Sequence, residues 1–169
     1  PGMERALIAC RLALAEAALP LNIEVLGPRN PDTLIAMLNV ATAYGAMGRH
    51  DEQLRLHEQV MQLRTEVRGD RHPYTLLSMR QLAGHLRRAG RLSEATGLSS
   101  RYVAGAEWQR GQPGLTPEYR QSLFRDYADG YRFFGLLHAT AGDVAEAWRL
   151  SELSKARTLL ETMAAQRAG

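Results

Sequence analysis

Apolar residues recur along this chain at steps of three and four, in two short stripes separated by glycine, and the pair of stripes then repeats. In one unit Leu34, Met37, Leu38, Ala41 and Tyr44 share a helical face, and Gly48 ends the pattern where a left-handed residue is needed. Ahead of them Asn30-Pro31-Asp32-Thr33 carries helix-start chemistry, because proline is tolerated in a first turn and short polar side chains cap free amides. Leu54, Leu56, Val60, Met61 and Leu63 give a second stripe, restarted near Asp51 and closed by Gly69. The unit is therefore a helix A and a helix B joined by a short turn.

Val25, Gly27, Arg29, Pro31, Thr33, Leu34, Met37, Ala41, Gly48, Arg49, Glu52 and Leu56 each recur 42 residues later without a gap, from Val67 to Leu98. A hairpin of this length cannot bury both of its stripes alone, so the spacing predicts hairpins stacked into a curved solenoid. The next helices are expected over 73–88 and 92–108. The repeat then slips: Gly142-Asp143-Val144-Ala145-Glu146-Ala147 matches Gly90-Arg91-Leu92-Ser93-Glu94-Ala95 at an offset of 52. The extra residues belong to the breaker-rich loop Gly111-Gln112-Pro113-Gly114-Leu115-Thr116-Pro117. A longer A helix over 117–140 and a last B helix from 143 to about 167 follow. At the other end, 3–26 reads as a B helix without its A partner, open to a kink or split at Pro20. One solenoid over 1–169 results, with a partial repeat at 1–26, repeats at 27–66 and 69–108, a loop at 109–116 and a divergent repeat at 117–167. Ala41, Ala83 and Gly135 mark close helix packing, and Tyr127, Tyr131, Phe133 and Phe134 read as core.

Composition narrows the function. With 45% hydrophobic and 23% charged residues in 169, the chain has the make-up of a soluble globular protein and not of a disordered one. The net charge is +3, but 18 acidic residues are spread among the 21 basic ones, which argues against nucleic acid as a partner. Lys155 is the only lysine, an arginine bias that points to a GC-rich bacterial genome. Cys10 is alone, so no intrachain disulfide forms and a cytoplasmic location is the default. Arg11 and Glu16 interrupt the apolar N-terminal run, so no membrane span is expected. The Pro1-Gly2 start and the helical pattern at the end fit an excised fragment. Histidines 50, 57, 72, 85 and 138 are scattered, and no C-x-x-C, H-E-x-x-H or glycine-rich phosphate loop occurs, so neither a metal nor a cofactor is expected and no enzyme. His50 and His57, two turns apart, read as solvated side chains.

Gly27-Pro28-Arg29-Asn30-Pro31-Asp32-Thr33-Leu34, with Leu38-Asn39-Val40-Ala41, Tyr44, Gly48-Arg49 and Glu52, resembles the 42-residue tetratricopeptide repeat of kinesin light chains and many bacterial proteins. Gly69-Asp70-Arg71-His72-Pro73-Tyr74-Thr75-Leu76 matches it equally, and His72 before Pro73 then has a turn-packing role. The resemblance is strong over 25–108 and looser over 117–160, and it departs at Gln53, where the family prefers the alanine seen at Ala95 and Ala147. It implies an all-α, right-handed superhelix of antiparallel helix pairs that binds a protein segment. A second resemblance covers Ala147-Trp148-Arg149-Leu150-Ser151-Glu152-Leu153-Ser154-Lys155-Ala156-Arg157-Thr158-Leu159-Leu160-Glu161, which is similar to the helix that often precedes a caspase-like CHAT module in bacterial repeat proteins. It implies a sensing or structural arm of a larger protease.

In such superhelices the A helices line a concave groove. The resemblance therefore assigns Ile35, Leu38, Asn39, Thr42 and Ala46 to the groove from the first A helix. The second gives Leu77, Arg80, Gln81, Gly84, Arg87 and Arg88, and the third Asp129, Arg132, Leu136 and Thr140. Asn39 and Gln81 are carboxamides at one repeat position, suited to a peptide backbone or equally to a solvated surface. Arg80, Arg87, Arg88 and Arg132 on one wall would suit an acidic peptide. Arg87 and Arg88 also lie in a last helical turn, where the helix dipole stabilises cations whatever they bind. With no polar capping helix at either end, self-association through the terminal helices is the remaining expectation.

Overall fold

The computed structural model describes residues 2–114 and 116–168; Pro1, Leu115 of the expected loop, and Gly169 lie outside the described residues. Among the described residues there are eight helices: α1 Gly2–Leu26, α2 Pro31–Ala46, α3 His50–Arg68, α4 Pro73–Arg88, α5 Leu92–Gly97, α6 Ser99–Arg110, α7 Pro117–Thr140 and α8 Val144–Ala168. Each packs against its neighbour in sequence, and α4 and α7 both rest on the α5–α6 pair. The result is an all-α stack of helix pairs.

Local chemistry sets the boundaries. Asn30 begins α2 by accepting the Asp32 amide at 2.9 Å, and Pro31 occupies the first turn. At the same repeat position His72 begins α4: its Nδ1 accepts from the Tyr74 amide at 3.2 Å, and its ring stacks on Tyr74. Gly48 and Gly90 turn the chain between A and B helices at φ of 78° and 76°, a conformation open to glycine without strain. Arg49 and Arg91 follow them. Arg49 reaches back to Glu16 and forward to Glu52, and Arg91 reaches back to Glu58 and forward to Glu94. The same exposed clip thus sits at both A-to-B turns.

One open alternative is decided and one expectation changes. α1 runs through Pro20 as a single helix; proline removes one backbone donor, yet the helix does not split there. The helix expected over 92–108 breaks at Leu98 into α5 and α6. Gly97, Ser99 and Ser100 are weak helix formers, and Thr96 Oγ1 turns back to the Leu92 and Ser93 carbonyls at 3.1 and 3.0 Å.

The larger core runs from Leu54 on α3 through Leu76, Met79, Leu82 and Leu86 of α4 to Tyr131, Phe134, Leu137 and Leu150. Tyr102 sits among Tyr127, Tyr131 and Phe134, with ring centroids 5.0 to 6.4 Å apart, and Gly130 leaves room for its hydroxyl. Tyr131 donates to Glu107 at 2.7 Å. Gly135 lets α8 approach: a Cβ there would lie 3.3 Å from the Ala147 carbonyl oxygen. A smaller cluster holds Leu34, Met37 and Val60, with Leu19, Leu38, Leu56 and Leu63 packed on it. Among the residues of α1 whose burial is described, Leu12 alone is buried. Its segment Ala6–Leu26 is, by length and composition alone, apolar enough to cross a membrane despite Arg11 and Glu16, with a mean hydropathy of 1.6 and only 6% of its residues buried. That corrects the expectation that no stretch approaches a span.

Candidate peptide-binding surface of the A helices

The groove candidates sit on α2, α4 and α7, and their surroundings differ. On α2, Asn39 and Thr42 line a cleft of about 300 Å³ with Ala43, Ala46 and, from α1, Ile8 and Arg11. Leu38 is half-buried against the small core, and Thr42 Oγ1 donates to the Leu38 carbonyl at 2.9 Å. Ile35 is exposed beside them.

On α4, Gln81, Arg87 and Arg88 are exposed, while Arg80 and Gly84 are half-buried. Phe133 of α7 reaches across to α4, its Cζ 4.0 Å from where a Cβ on Gly84 would stand. Arg88 lies on the α3 side of its helix, where its charge acts on His57 and His85. On α7, Arg132 is exposed and paired with Asp129 one turn back on the same helix. Arg132 and Leu136 border a cleft of about 240 Å³ between α7 and α8, floored by Gly135, Ala139, Ala147 and Ser151. The structure therefore joins Asn39 to Thr42 in one cleft and Arg132 to Leu136 in another.

Sequence reasoning missed the burial of several polar residues, His57 and Arg64 among them, and marked Gln53 only as a departure from the repeat. His57, read as solvated, is 7% exposed and stacks on His85 with ring centroids 4.2 Å apart. Burial, reinforced by His85, Arg88 and Arg64, pushes His57 down to about 4. His85 is lowered by burial, then by Arg88 and His50. Arg64 is buried with Nη1 donating to Ser78 Oγ at 2.7 Å and to the Tyr74 carbonyl at 3.3 Å; desolvation lowers its pKa. Gln53 is buried against Gly45. The signal was spacing: 53, 57, 60 and 64 fall at steps of three and four on the buried side of α3, whatever letters stand there. Among the described residues no group of three or more metal-ligating side chains converges.

Stacked helix pairs of this order form a tetratricopeptide-repeat superhelix, a fold whose members generally serve as protein-interaction modules. The sequence model of the tetratricopeptide repeat family matches residues 38–107. No curated protein matches the chain. Among solved structures, BtubC (BKLC) from P. vanneervenii superposes with a TM-score of 0.74 at 13% identity, over 93% of this chain. The match spans 59% of the BtubC chain. Nearly identical TPR-like repeats of a putative kinesin light chain from Podosopora anserina give a TM-score of 0.56 at 19% identity, over 92% of this chain and 89% of theirs. A single-substitution variant of those repeats gives 0.57 at 18%, over 95% and 91%. At these identities the likeness is one of fold.

Proposed function

We propose that the chain is a non-catalytic binding module whose A helices hold an extended, acidic protein segment. The observation that carries this reading is the pair Asn39 and Gln81, at one repeat position on successive A helices, with exposed Arg87 and Arg88 further along α4. A carboxamide both donates and accepts, which matches a peptide backbone, and a guanidinium forks onto a carboxylate. No acidic side chain pairs with Arg80, Arg87 or Arg88 among the described residues, so these cations meet a ligand without first breaking an ion pair. In this reading 1–169 acts as one solenoid, in the cytoplasm, with a protein and not a nucleic acid or a membrane as partner.

The test is fluorescence anisotropy with a labelled, glutamate-rich extended peptide. Replacing Arg87→Glu together with Arg88→Glu should weaken binding at least ~10-fold and flatten its salt dependence. Unchanged capture sinks the groove assignment. A second reading makes the chain the sensing or structural arm of a larger caspase-like protease. It rests on the resemblance of residues 147–161 to the helix that precedes such modules. Sequencing the parent gene past the codon for Gly169 decides it: a module carrying its own histidine and cysteine supports this reading, and a stop codon ends it.

A further inference from the structure

The joint between α3 and α4 is basic at four positions that are apolar or small in the joints on either side. His50 and His57 stand seven residues apart on α3, and His85 and Arg88 in the last turn of α4. The preceding joint has Ile8, Ala15, Ala43 and Ala46 at these positions, and the following one Leu92, Ser99, Leu137 and Thr140. Stacking of helix pairs is satisfied by those residues, so it does not account for four basic ones.

The cluster has geometry but no counter-charge. His57 is buried, and its ring stacks on that of half-buried His85 with centroids 4.2 Å apart and planes 27° from parallel. Neither imidazole makes a hydrogen bond among the described residues. Exposed Arg88 acts on both rings, Arg64 on His57 and His50 on His85. The carboxylates around α4 are engaged elsewhere. Glu58 of α3 and Glu94 of α5 are held by Arg91, Glu52 by Arg49 and Asp70 by Arg101. Glu107 of α6 is held by Tyr131, Asp129 of α7 by Arg132, and Asp51 of α3 lies in the field of Arg91. Like charges gathered in a half-buried place repel unless an anion joins them. Gln81, His85 and Arg88 fall at steps of four and three along α4, which sets the cluster beside the carboxamide read above as holding a peptide backbone.

We infer that this corner seats an acidic side chain of the bound segment: its carboxylate lies between Arg88 and His85, with His50 at the rim, and His85 takes up a proton from solvent as the carboxylate arrives. The inference rests on the peptide-binding reading above and says where in it the acidic residue goes. In the free chain burial, then Arg88 and His50, holds His85 below the ordinary imidazole range, so it is neutral at pH 7.5. An arriving carboxylate reverses the balance of charge and favours the imidazolium. His57, pushed down to about 4, stays neutral beneath it and brings no second charge. A ligand that raises the pKa of one group binds more tightly as the pH falls, by up to ~10-fold per pH unit.

The probe is the labelled glutamate-rich peptide, amidated at its C-terminus so that its side chains are its only carboxylates. Anisotropy at pH 7.5 and pH 6.0, at one ionic strength, keeps glutamate ionised throughout. The dissociation constant should fall at least ~3-fold at pH 6.0, and calorimetry in two buffers of different ionisation heat should show net proton uptake on binding. In the complex the NMR titration of the His85 ring should move to higher pH. His85→Asn should remove the pH dependence, its fold being checked by melting at both pH values. Equal affinity at both pH values with no proton uptake overturns the inference and leaves the peptide-binding reading standing. A pH dependence that persists in folded His85→Asn, or a His85 titration that the peptide does not move, overturns it as well, because the proton then lands elsewhere. No binding at either pH overturns both.

Discussion

Gln53 fills the B-helix position that alanine fills at Ala95 and Ala147, and the A-helix position that is Arg87 and Ala139 in the later repeats is Gly45. The two departures belong together. The Gln53 carboxamide occupies the space that a Cβ on Gly45 would need, so a larger side chain on α3 is accommodated by a smaller one on α2. Gly45→Ala alone sets a gain in helix propensity of about 1 kcal/mol against displacement of that carboxamide, and should leave stability near or below that of the original chain. In a Gln53→Ala background the same change should stabilise by about 1 kcal/mol. A urea double-mutant cycle checks this: the coupling should be about 1 kcal/mol, and simple additivity would show that the two residues do not share the space.

The α3–α4 interface is where an element departs furthest from its sequence pattern. His57 and His85 stack face to face, with Arg88 on α4, Arg64 and His50 on α3, and no carboxylate among the groups whose charge acts on them. Burial keeps His57 neutral in the folded chain down to about pH 4, while in the unfolded chain it gains a proton near 6.5. The unfolded state therefore binds more protons in that window, and stability present above pH 6.5 falls as the pH drops towards 4. His57 accounts for at most about 3 kcal/mol of this. Melting curves of the original chain and of His57→Phe between pH 8 and pH 4 isolate it, since both share the carboxylate titrations. Their difference should be constant above pH 7 and should shift in favour of His57→Phe below it; a parallel pair of curves would place the histidine in solvent.

The same interface shows what could be read from letters alone. Helix ends were legible because Asn30, Pro31, Gly48 and their mates at His72, Pro73 and Gly90 act locally. The break at Leu98 was not, because the apolar stripe continues across it and only the weak preferences of Gly97, Ser99 and Ser100 mark it. His57, Arg64 and Gln53 were not, because burial of a polar side chain depends on what the neighbouring helix offers: a second imidazole, the Ser78 hydroxyl, or an empty Gly45. The groove candidates rest on the resemblance alone, and ion pairs at them, such as that of Asp129 with Arg132, are visible only in coordinates.

At the scale of the whole molecule the cores are unequal. The large one ties α3 through α8 together around Leu76, Met79, Tyr131 and Phe134, whereas the small one joins α2 and α3, and α1 reaches it through Leu19. In a stack where each pair touches only its neighbours, local opening follows such differences in nearest-neighbour burial. α1 buries Leu12 and exposes its outer seam, so it should open well below the free energy of global unfolding. Native-state hydrogen exchange should rank α1 least protected, α2 next, and α4 with the central turns of α7 most protected. Leu76→Ala, in the shared core, should lower global stability by roughly 3 kcal/mol and speed exchange in α4 and α7 alike. Leu12→Ala should speed exchange in α1 and α2 while leaving α7 unchanged, because α2 and α3 stand between. Equal acceleration everywhere after Leu12→Ala would mean that the stack opens as one unit, and the end face of α1 would then be as firmly held as the core.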